Sequence, residues 1–273
     1  MIRLVGLDLD GTLLGGTKPH YGIREEALAA LYDAHGRGVQ IGIVTGRDFD
    51  FIYQTLLEHE IDPAKTSFPS LIIAEERRIY ALEGGAYRPD AEWNDRIVAD
   101  ERGHLDQVAS LVGRLLETDL AQMDPGLRRV EAAIEERRGF VELVFSDRES
   151  AEAGAALLAE RLRSTVPDIV PIRNGRGVAL RHVRASKGAT LNRYAETSGL
   201  RPEEILAIGD SENDRSMLDG RFGFRAATVS NADESIRRLV AERGGYVAEG
   251  ACGVGVAEAM ADALGAANER SGA

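Results

Sequence analysis

Short unbroken apolar runs alternate with stretches of helical spacing, and that alternation predicts the fold. Leu4-Val5-Gly6-Leu7 reads as a buried strand that runs into Asp8-Leu9-Asp10-Gly11-Thr12. From Glu25 to Ala34 the apolar positions Ala27, Leu28, Leu31 and Ala34 fall on one helical face, and Gly36 and Gly38 mark its end. Val39–Val44 is a second continuous apolar run, ending at Thr45-Gly46-Arg47. A helix carrying Phe49, Ile52, Leu56 and Leu57 follows, stopped near Asp62-Pro63, and Leu71–Ala74 is a third short strand. Strand, helix, strand, helix, strand is the pattern of a doubly wound parallel sheet.

The pattern changes at about residue 86 and resumes at about 184. Between them come a polar loop at Arg88-Pro89-Asp90, a helix over Leu105–Thr118 and a break at Asp124-Pro125-Gly126. Val130–Ile134 and Phe140–Phe145 then read as strands pairing across the Glu135–Gly139 turn. A helix over Glu152–Arg163 and strands at Ile169–Arg173 and Gly177–Leu180 complete the stretch. This order suggests a separate α/β unit with an antiparallel sheet, so the expected domains are 1–85 and 184–273 for the core and 86–183 for the insert. The returning core opens a helix at Ser186-Lys187-Gly188 and forms a buried strand at Ile205–Ile208, which ends in Gly209-Asp210-Ser211-Glu212-Asn213-Asp214. A strand near Arg225–Val229 and helices over Asp233–Arg243 and Gly253–Leu264 finish it.

Bulk properties narrow the function classes. A chain of 273 residues buries about three-quarters of its unfolded surface. Its net charge of -12 argues against nucleic acid or an anionic membrane as partner. A local cation can still admit an anionic substrate. The single cysteine, Cys252, and the lack of a secretory pattern at the N-terminus fit a reducing cytoplasm. No apolar stretch approaches the ~20 residues of a membrane span.

Chemistry concentrates where parallel strands end, the usual place for a site in such sheets. Asp8 and Asp10 would share one side of a regular strand. Carboxylates ~4 Å apart repel by roughly 1 kcal/mol in water and more at a lower dielectric. A shared proton, a cation or a turn at Gly11 would relieve this. Asp210 and Asp214 stand about one helical turn apart, arranged either to cap a helix or to converge on an ion. With Asp8 and Asp10 they make a hard-oxygen site suited to Mg²⁺. Thr45, next to Gly46, suits a phosphate oxygen or an ordinary helix cap.

The ordered set Asp8-x-Asp10-Gly11-Thr12, Thr45-Gly46-Arg47, Ser186-Lys187-Gly188 and Gly209-Asp210-x-x-Asn213-Asp214 resembles the haloacid dehalogenase-like (HAD) phosphohydrolase superfamily. The resemblance implies a Rossmann-like α/β core with an inserted α/β cap, and the insert is similar to that of Cof-type and sucrose-phosphate phosphatases. Thr228-Val229-Ser230-Asn231-Ala232 with Gly253-Val254-Gly255-Val256 looks most like the sucrose-phosphatase branch. On this likeness Asp8 is the nucleophile that becomes an aspartyl phosphate, and Asp10 is the acid and base. Thr45 and Lys187 hold phosphoryl oxygens, with Thr12, Gly46, Arg47 and Asn213 around the substrate. Asp8, the backbone carbonyl of Asp10 and Asp210 bind Mg²⁺, with Asp214 in support. Arg173 and Arg176 are the cap's candidate substrate contacts. The expected substrate is a small phosphorylated metabolite, first a sugar phosphate. The alternatives are a phosphorylated acid of the phosphoglycolate or mannosylglycerate-phosphate type, or a silent phosphate-binding regulator of the same fold. A monomer or homodimer is expected. After the third strand, where many relatives carry Asn-Gly, this chain has Ala74-Glu75-Glu76-Arg77-Arg78.

Overall fold

In the computed structural model, which describes residues 1–16, 21–131 and 140–269, the first apolar run is an inner strand of an eight-stranded sheet. The chain divides into two compact units, Met1–Asp90 with Lys187–Ala273, and Ala91–Ser186.

The first unit begins with β1 (Leu4–Leu7), followed by the two-residue strands β2 (Leu14–Gly15) and β3 (Gly22–Ile23), which pair antiparallel. Next come α1 (Glu25–Gly36), β4 (Gln40–Val44), α2 (Phe49–Glu58), α3 (Pro63–Thr66) and β5 (Leu71–Ala74). Every residue of β1 and β5 is buried, including neighbours that point to opposite faces. Helices must therefore cover both faces, which is why these strands read as unbroken apolar runs.

Two strands then depart from the sequence expectation. β6 (Arg78–Glu83), for which the sequence pattern predicts no element, and β7 (Ala86–Pro89), whose end falls on the expected Arg88-Pro89-Asp90 loop, extend the same sheet antiparallel. Gly84 and Gly85, with φ of 59° and 82°, make the two-residue turn between them. Such a turn needs left-handed backbone at both positions and matches the strand twist. Their half-exposed, mixed-polarity residues hid them in the sequence. The first unit accordingly extends to Asp90 rather than to residue 85, and the second runs on to Ser186 rather than to 183.

The second unit holds α4 (Ala91–Leu116), α5 (Asp119–Met123), β8 (Arg128–Glu131) and β9 (Val141–Val144). It continues with α6 (Arg148–Thr165), β10 (Ile169–Asn174) and β11 (Gly177–His182). Its strands form an antiparallel sheet in the order β10-β11-β9-β8. The remainder of the expected strand to Ile134 and the Glu135–Gly139 turn lie outside the described residues. α4 starts fourteen residues before the expected Leu105. Its first turns bury Trp93, Ile97 and Glu101 at four-residue intervals, and Glu101 is held by Arg181 at 2.8 Å. A buried carboxylate at a core position broke the apolar pattern.

The first unit resumes with α7 (Lys187–Thr197), β12 (Ile205–Gly209), α8 (Arg215–Leu218), β13 (Arg225–Thr228), α9 (Glu234–Glu242), β14 (Tyr246–Val247) and α10 (Cys252–Glu269). The sheet order is β14-β13-β12-β1-β4-β5-β6-β7, and the six strands from β14 to β5 are parallel. β1 thus lies between β12 and β4, in register Leu4 to Ile205 and Leu4 to Gln40. The chain runs outward from β1 through β4 on one side and through β12 on the other, so the crevice at its carboxyl end is the topological switch point.

α7 is brought close to α8 by a glycine. A Cβ on Gly188 would lie 2.2 Å from the Ser216 carbonyl oxygen, and the Gly188 N–H donates to Ser216 Oγ at 2.9 Å. Gly188→Ala should therefore push α7 and the adjoining Lys187 away, lowering stability by about 1–3 kcal/mol. A chemical-denaturation midpoint unchanged from wild type would contradict that packing. Among the described residues no helix is long and apolar enough to cross a membrane.

Candidate active site

Three loops leave the carboxyl ends of adjacent strands, and each brings a part of the site. From β1 comes Asp8, whose N–H still bonds the β12 carbonyl of Ile208 at 2.9 Å. From β4 comes Thr45, tied by its own N–H to Ile73 in β5 at 3.0 Å. From β12 come Asp210 and the turn to Asp214. α7 adds Lys187, whose side chain is wholly buried.

These groups converge. Lys187 Nζ lies 2.6 Å from Asp8 Oδ1 and 2.6 Å from Asp214 Oδ1. Oxygens of Asp8, Asp210 and Asp214 all lie within 4.8 Å of one another. Asp214 fills the capping role and also meets the lysine. Its Oδ2 accepts the N–H groups of Asp210 and Ser211 at 3.0 and 2.9 Å, as a cap would, while its Oδ1 meets Lys187. Thr12 donates its hydroxyl to Asp210 Oδ1 at 2.9 Å. Gly11, at φ 84°, permits the close approach: a Cβ there would stand 2.6 Å from Asp210 Oδ2.

Burial and like charge set the electrostatics. Burial pushes the Asp8 carboxyl well above its ordinary value; Lys187 opposes this, and Asp214 and Asp210 add to it. Asp210 is pushed up to about 6, first by burial and then by Asp214. Lys187 is held firmly protonated: burial works against its charge, but Asp214, Asp8 and Glu76 outweigh it. Burial and the two neighbouring carboxylates together outweigh the ammonium at Asp8. A group of oxygen donors with surplus negative charge fits a hard divalent cation, which would offset that surplus.

Asp10 turns away from this group. Arg47 clamps it with Nε at 2.8 Å to Oδ2 and Nη2 at 3.0 Å to Oδ1, and the Tyr21 hydroxyl donates to Oδ1 at 3.0 Å. Burial tends to raise the Asp10 carboxyl, but Arg47 and Tyr21 prevail and hold it below its ordinary value. A guanidinium rather than the Asp8 carboxylate faces it. The carboxylates of Asp8, Asp210 and Asp214 come together; from Asp10 only the backbone carbonyl was expected at the metal, and its carboxylate lies apart. Arg47 also lies over the Phe51 ring, 4.5 Å from its centroid. The Tyr21 hydroxyl is pushed up to about 12 by burial and by Asp10. Tyr21 went unnoticed in the sequence because nothing local links it to residue 10.

Thr45 is not the cap of the helix that follows it. Asp48 fills that place, accepting the Phe51 N–H at 2.9 Å. The Thr45 hydroxyl, buried beside the Gly46 turn, accepts the Arg47 N–H at 3.3 Å. Asn213 accepts from Ser211 Oγ at 2.6 Å and donates to Glu76 Oε1 at 3.0 Å. Glu76 was noticed in the sequence only as a departure from its relatives. Arg173 and Arg176 belong to the second unit, on the β10–β11 hairpin, where they donate to the Gly175 and Ser146 carbonyls, both at 3.2 Å. Arg181, another polar residue of that hairpin, is turned inward to Glu101 and stacks 4.1 Å from the Phe140 ring centroid.

A doubly wound core with a buried aspartate at the first strand's end, a buried lysine and two further aspartates beside it defines a HAD-like phosphatase acting on a small phosphorylated substrate. The chain belongs to the sucrose-6F-phosphate phosphohydrolase family, whose model matches residues 2–262. It is 27% identical over 265 residues to a phosphoglycolate phosphatase of Methanothermobacter thermautotrophicus, covering 95% of this chain and 97% of that one. A phosphoglycolate phosphatase of Halorubrum lacusprofundi is 28% identical over 240 residues, covering 87% and 88% of the two chains. The sucrose-phosphatase of Synechocystis sp. PCC6803, solved with sucrose and phosphate, shares the fold with a TM-score of 0.71 at 21% identity, covering 96% of this chain and 98% of that one.

Proposed function

We propose that this chain hydrolyses a sugar phosphate with Mg²⁺ through an aspartyl-phosphate intermediate. The observation that carries the reading is the convergence of Asp8 with Lys187, Asp210 and Asp214 at the strand ends. Asp8, Asp210 and the Asp10 carbonyl would hold Mg²⁺, with Asp214 behind them. Held there, the ion would offset the surplus carboxylate charge, favour the anionic form of Asp8 and neutralise phosphoryl oxygens.

The residues divide the work. An Asp8 oxygen attacks phosphorus as the bond from phosphorus to the substrate oxygen breaks, and the leaving alkoxide takes a proton from Asp10. Asp10, now a carboxylate, removes a proton from water. That water attacks phosphorus, and the bond to Asp8 breaks to give inorganic phosphate. Lys187, the Thr45 hydroxyl and the Gly46 N–H hold the phosphoryl oxygens. An acid and base in this position contributes typically 10²–10⁴-fold. Asp10 needs its proton for the first step, so Arg47 must leave it, and an arriving phosphoryl group is the bidentate anion to draw that guanidinium away.

Purified protein with Mg²⁺ should release phosphate steadily from p-nitrophenyl phosphate. Chelation with EDTA should abolish the release, and excess Mg²⁺ should restore it. Mg²⁺ alone should also raise the unfolding temperature, by mass action on the folded state. Turnover that persists in EDTA would end the metal-assisted reading. No release from p-nitrophenyl phosphate or from any of a panel of phosphorylated sugars would favour the silent regulator instead.

A further inference from the structure

Glu76 puts a fourth carboxylate at the phosphate site. It sits in the turn after β5 at φ 64° and is 7% exposed. Three bonds fasten it to the three segments that carry the phosphate-binding side chains. Its N–H donates to the Thr45 carbonyl at 2.9 Å, its carbonyl accepts the Thr190 hydroxyl of α7 at 2.7 Å, and its Oε1 accepts the Asn213 amide at 3.0 Å. The carboxylate lies against the turn after β4: a Cβ on Gly46 would stand 3.6 Å from Glu76 Oε1. Its charge is felt at Lys187, which it helps to keep protonated. Lys187 is thus held at 2.6 Å by both Asp8 and Asp214, and Glu76 adds to the negative charge around it.

We propose that Glu76 is a charge-selectivity residue, favouring phosphomonoesters of neutral alcohols over those that bear a second anionic group near the phosphate. The inference rests on the phosphatase reading of the same site and deepens it. All substrates present the same phosphoryl group to Glu76, so that repulsion cancels when two substrates are compared. A carboxylate one or two bonds beyond the ester oxygen is repelled again, whereas a hydroxyl in its place is not. At a separation of about 8 Å and an effective dielectric of about 20, one such pair of charges amounts to roughly thirtyfold, reduced to on the order of tenfold by solvent and salt. The relatives are named for both kinds of substrate, a sugar phosphate and a phosphorylated acid. Glu76 places this chain with the neutral class.

The test compares kcat/KM for phosphoglycolate and for glucose 6-phosphate, with Mg²⁺, in wild type, Glu76→Gln and Glu76→Asp. Glu76→Asn is the second neutral variant, because asparagine tolerates left-handed backbone well. In both neutral variants the ratio of phosphoglycolate to glucose 6-phosphate should rise about tenfold, and Glu76→Asp should keep the wild-type ratio. A ratio unchanged in folded, active Glu76→Gln and Glu76→Asn overturns the inference. So does a Glu76→Asp variant that shifts as far as Glu76→Gln, because that would be a response to shape and not to charge. Wild-type protein inactive on p-nitrophenyl phosphate and on both substrates would instead remove the phosphatase reading beneath it.

Discussion

Asp8→Asn should abolish phosphate release while leaving the fold at least as stable as wild type. The two outcomes share one cause. Asp8 is buried beside Asp210 and Asp214, and its carboxyl is raised by that burial and by their charge. An amide of the same shape removes one of three mutually repelling carboxylates and leaves Lys187 to Asp214 at 2.6 Å. Strain of this kind at a site is tolerated because the reaction needs it. The amide is no nucleophile, so transfer to the protein stops. Loss of a covalent nucleophile elsewhere has cost about 10⁶-fold, and a drop of at least about 10³-fold is expected here. Thermal unfolding and phosphate release on one preparation check both halves. Turnover near the wild-type rate would remove the covalent route, and a collapse in unfolding temperature would show that Asp8 holds the fold through Lys187.

What the sequence disclosed follows from how the site is built. β1, β4 and β12 are buried on both faces, so each is an apolar run that needs no partner to be recognised. The candidate site residues Asp8, Thr45 and Asp210 are the first polar residues after those runs, which made them legible as strand ends. α7 was legible as a helix opening at Ser186-Lys187-Gly188, but the reason for the glycine, the Ser216 carbonyl, was not. Interactions between distant segments were hidden. Arg47 could be placed near a phosphate, but its pairing with Asp10 depends on two loops thirty-seven residues apart, and with it the sign of the Asp10 shift. Glu101 and Arg181 are eighty residues apart, and without their pairing the first turns of α4, ahead of the expected start at Leu105, showed no continuous apolar face. Glu76 was legible as an oddity, and only its bonds to Thr45, Thr190 and Asn213 give it a role.

Lys187→Met should be the single change most damaging to stability, and it should cut activity as well. The ammonium bridges Asp8 and Asp214 in a space fully closed to solvent. Removing one partner of a buried ion pair costs about 3–5 kcal/mol, because the remaining charge is left uncompensated. Here two carboxylates lose their counterion at once, and Asp210 adds repulsion. Methionine fills much of the volume, so the loss measures charge rather than a cavity. Lys187→Arg should recover little: a planar guanidinium is too wide for a pocket that holds one nitrogen 2.6 Å from each of two carboxylates. Activity should fall in both variants by at least about 10²-fold, since a positive charge aimed at a phosphoryl oxygen is worth that much where water is excluded. The distinguishing measurement is the gain in unfolding temperature with Mg²⁺. A divalent ion among Asp8, Asp210 and Asp214 takes over part of the missing charge, so Mg²⁺ should stabilise Lys187→Met more than it stabilises wild type. An equal gain in both would mean that the lysine and the metal do not share the same carboxylates, and the charge accounting of the site would have to be rebuilt.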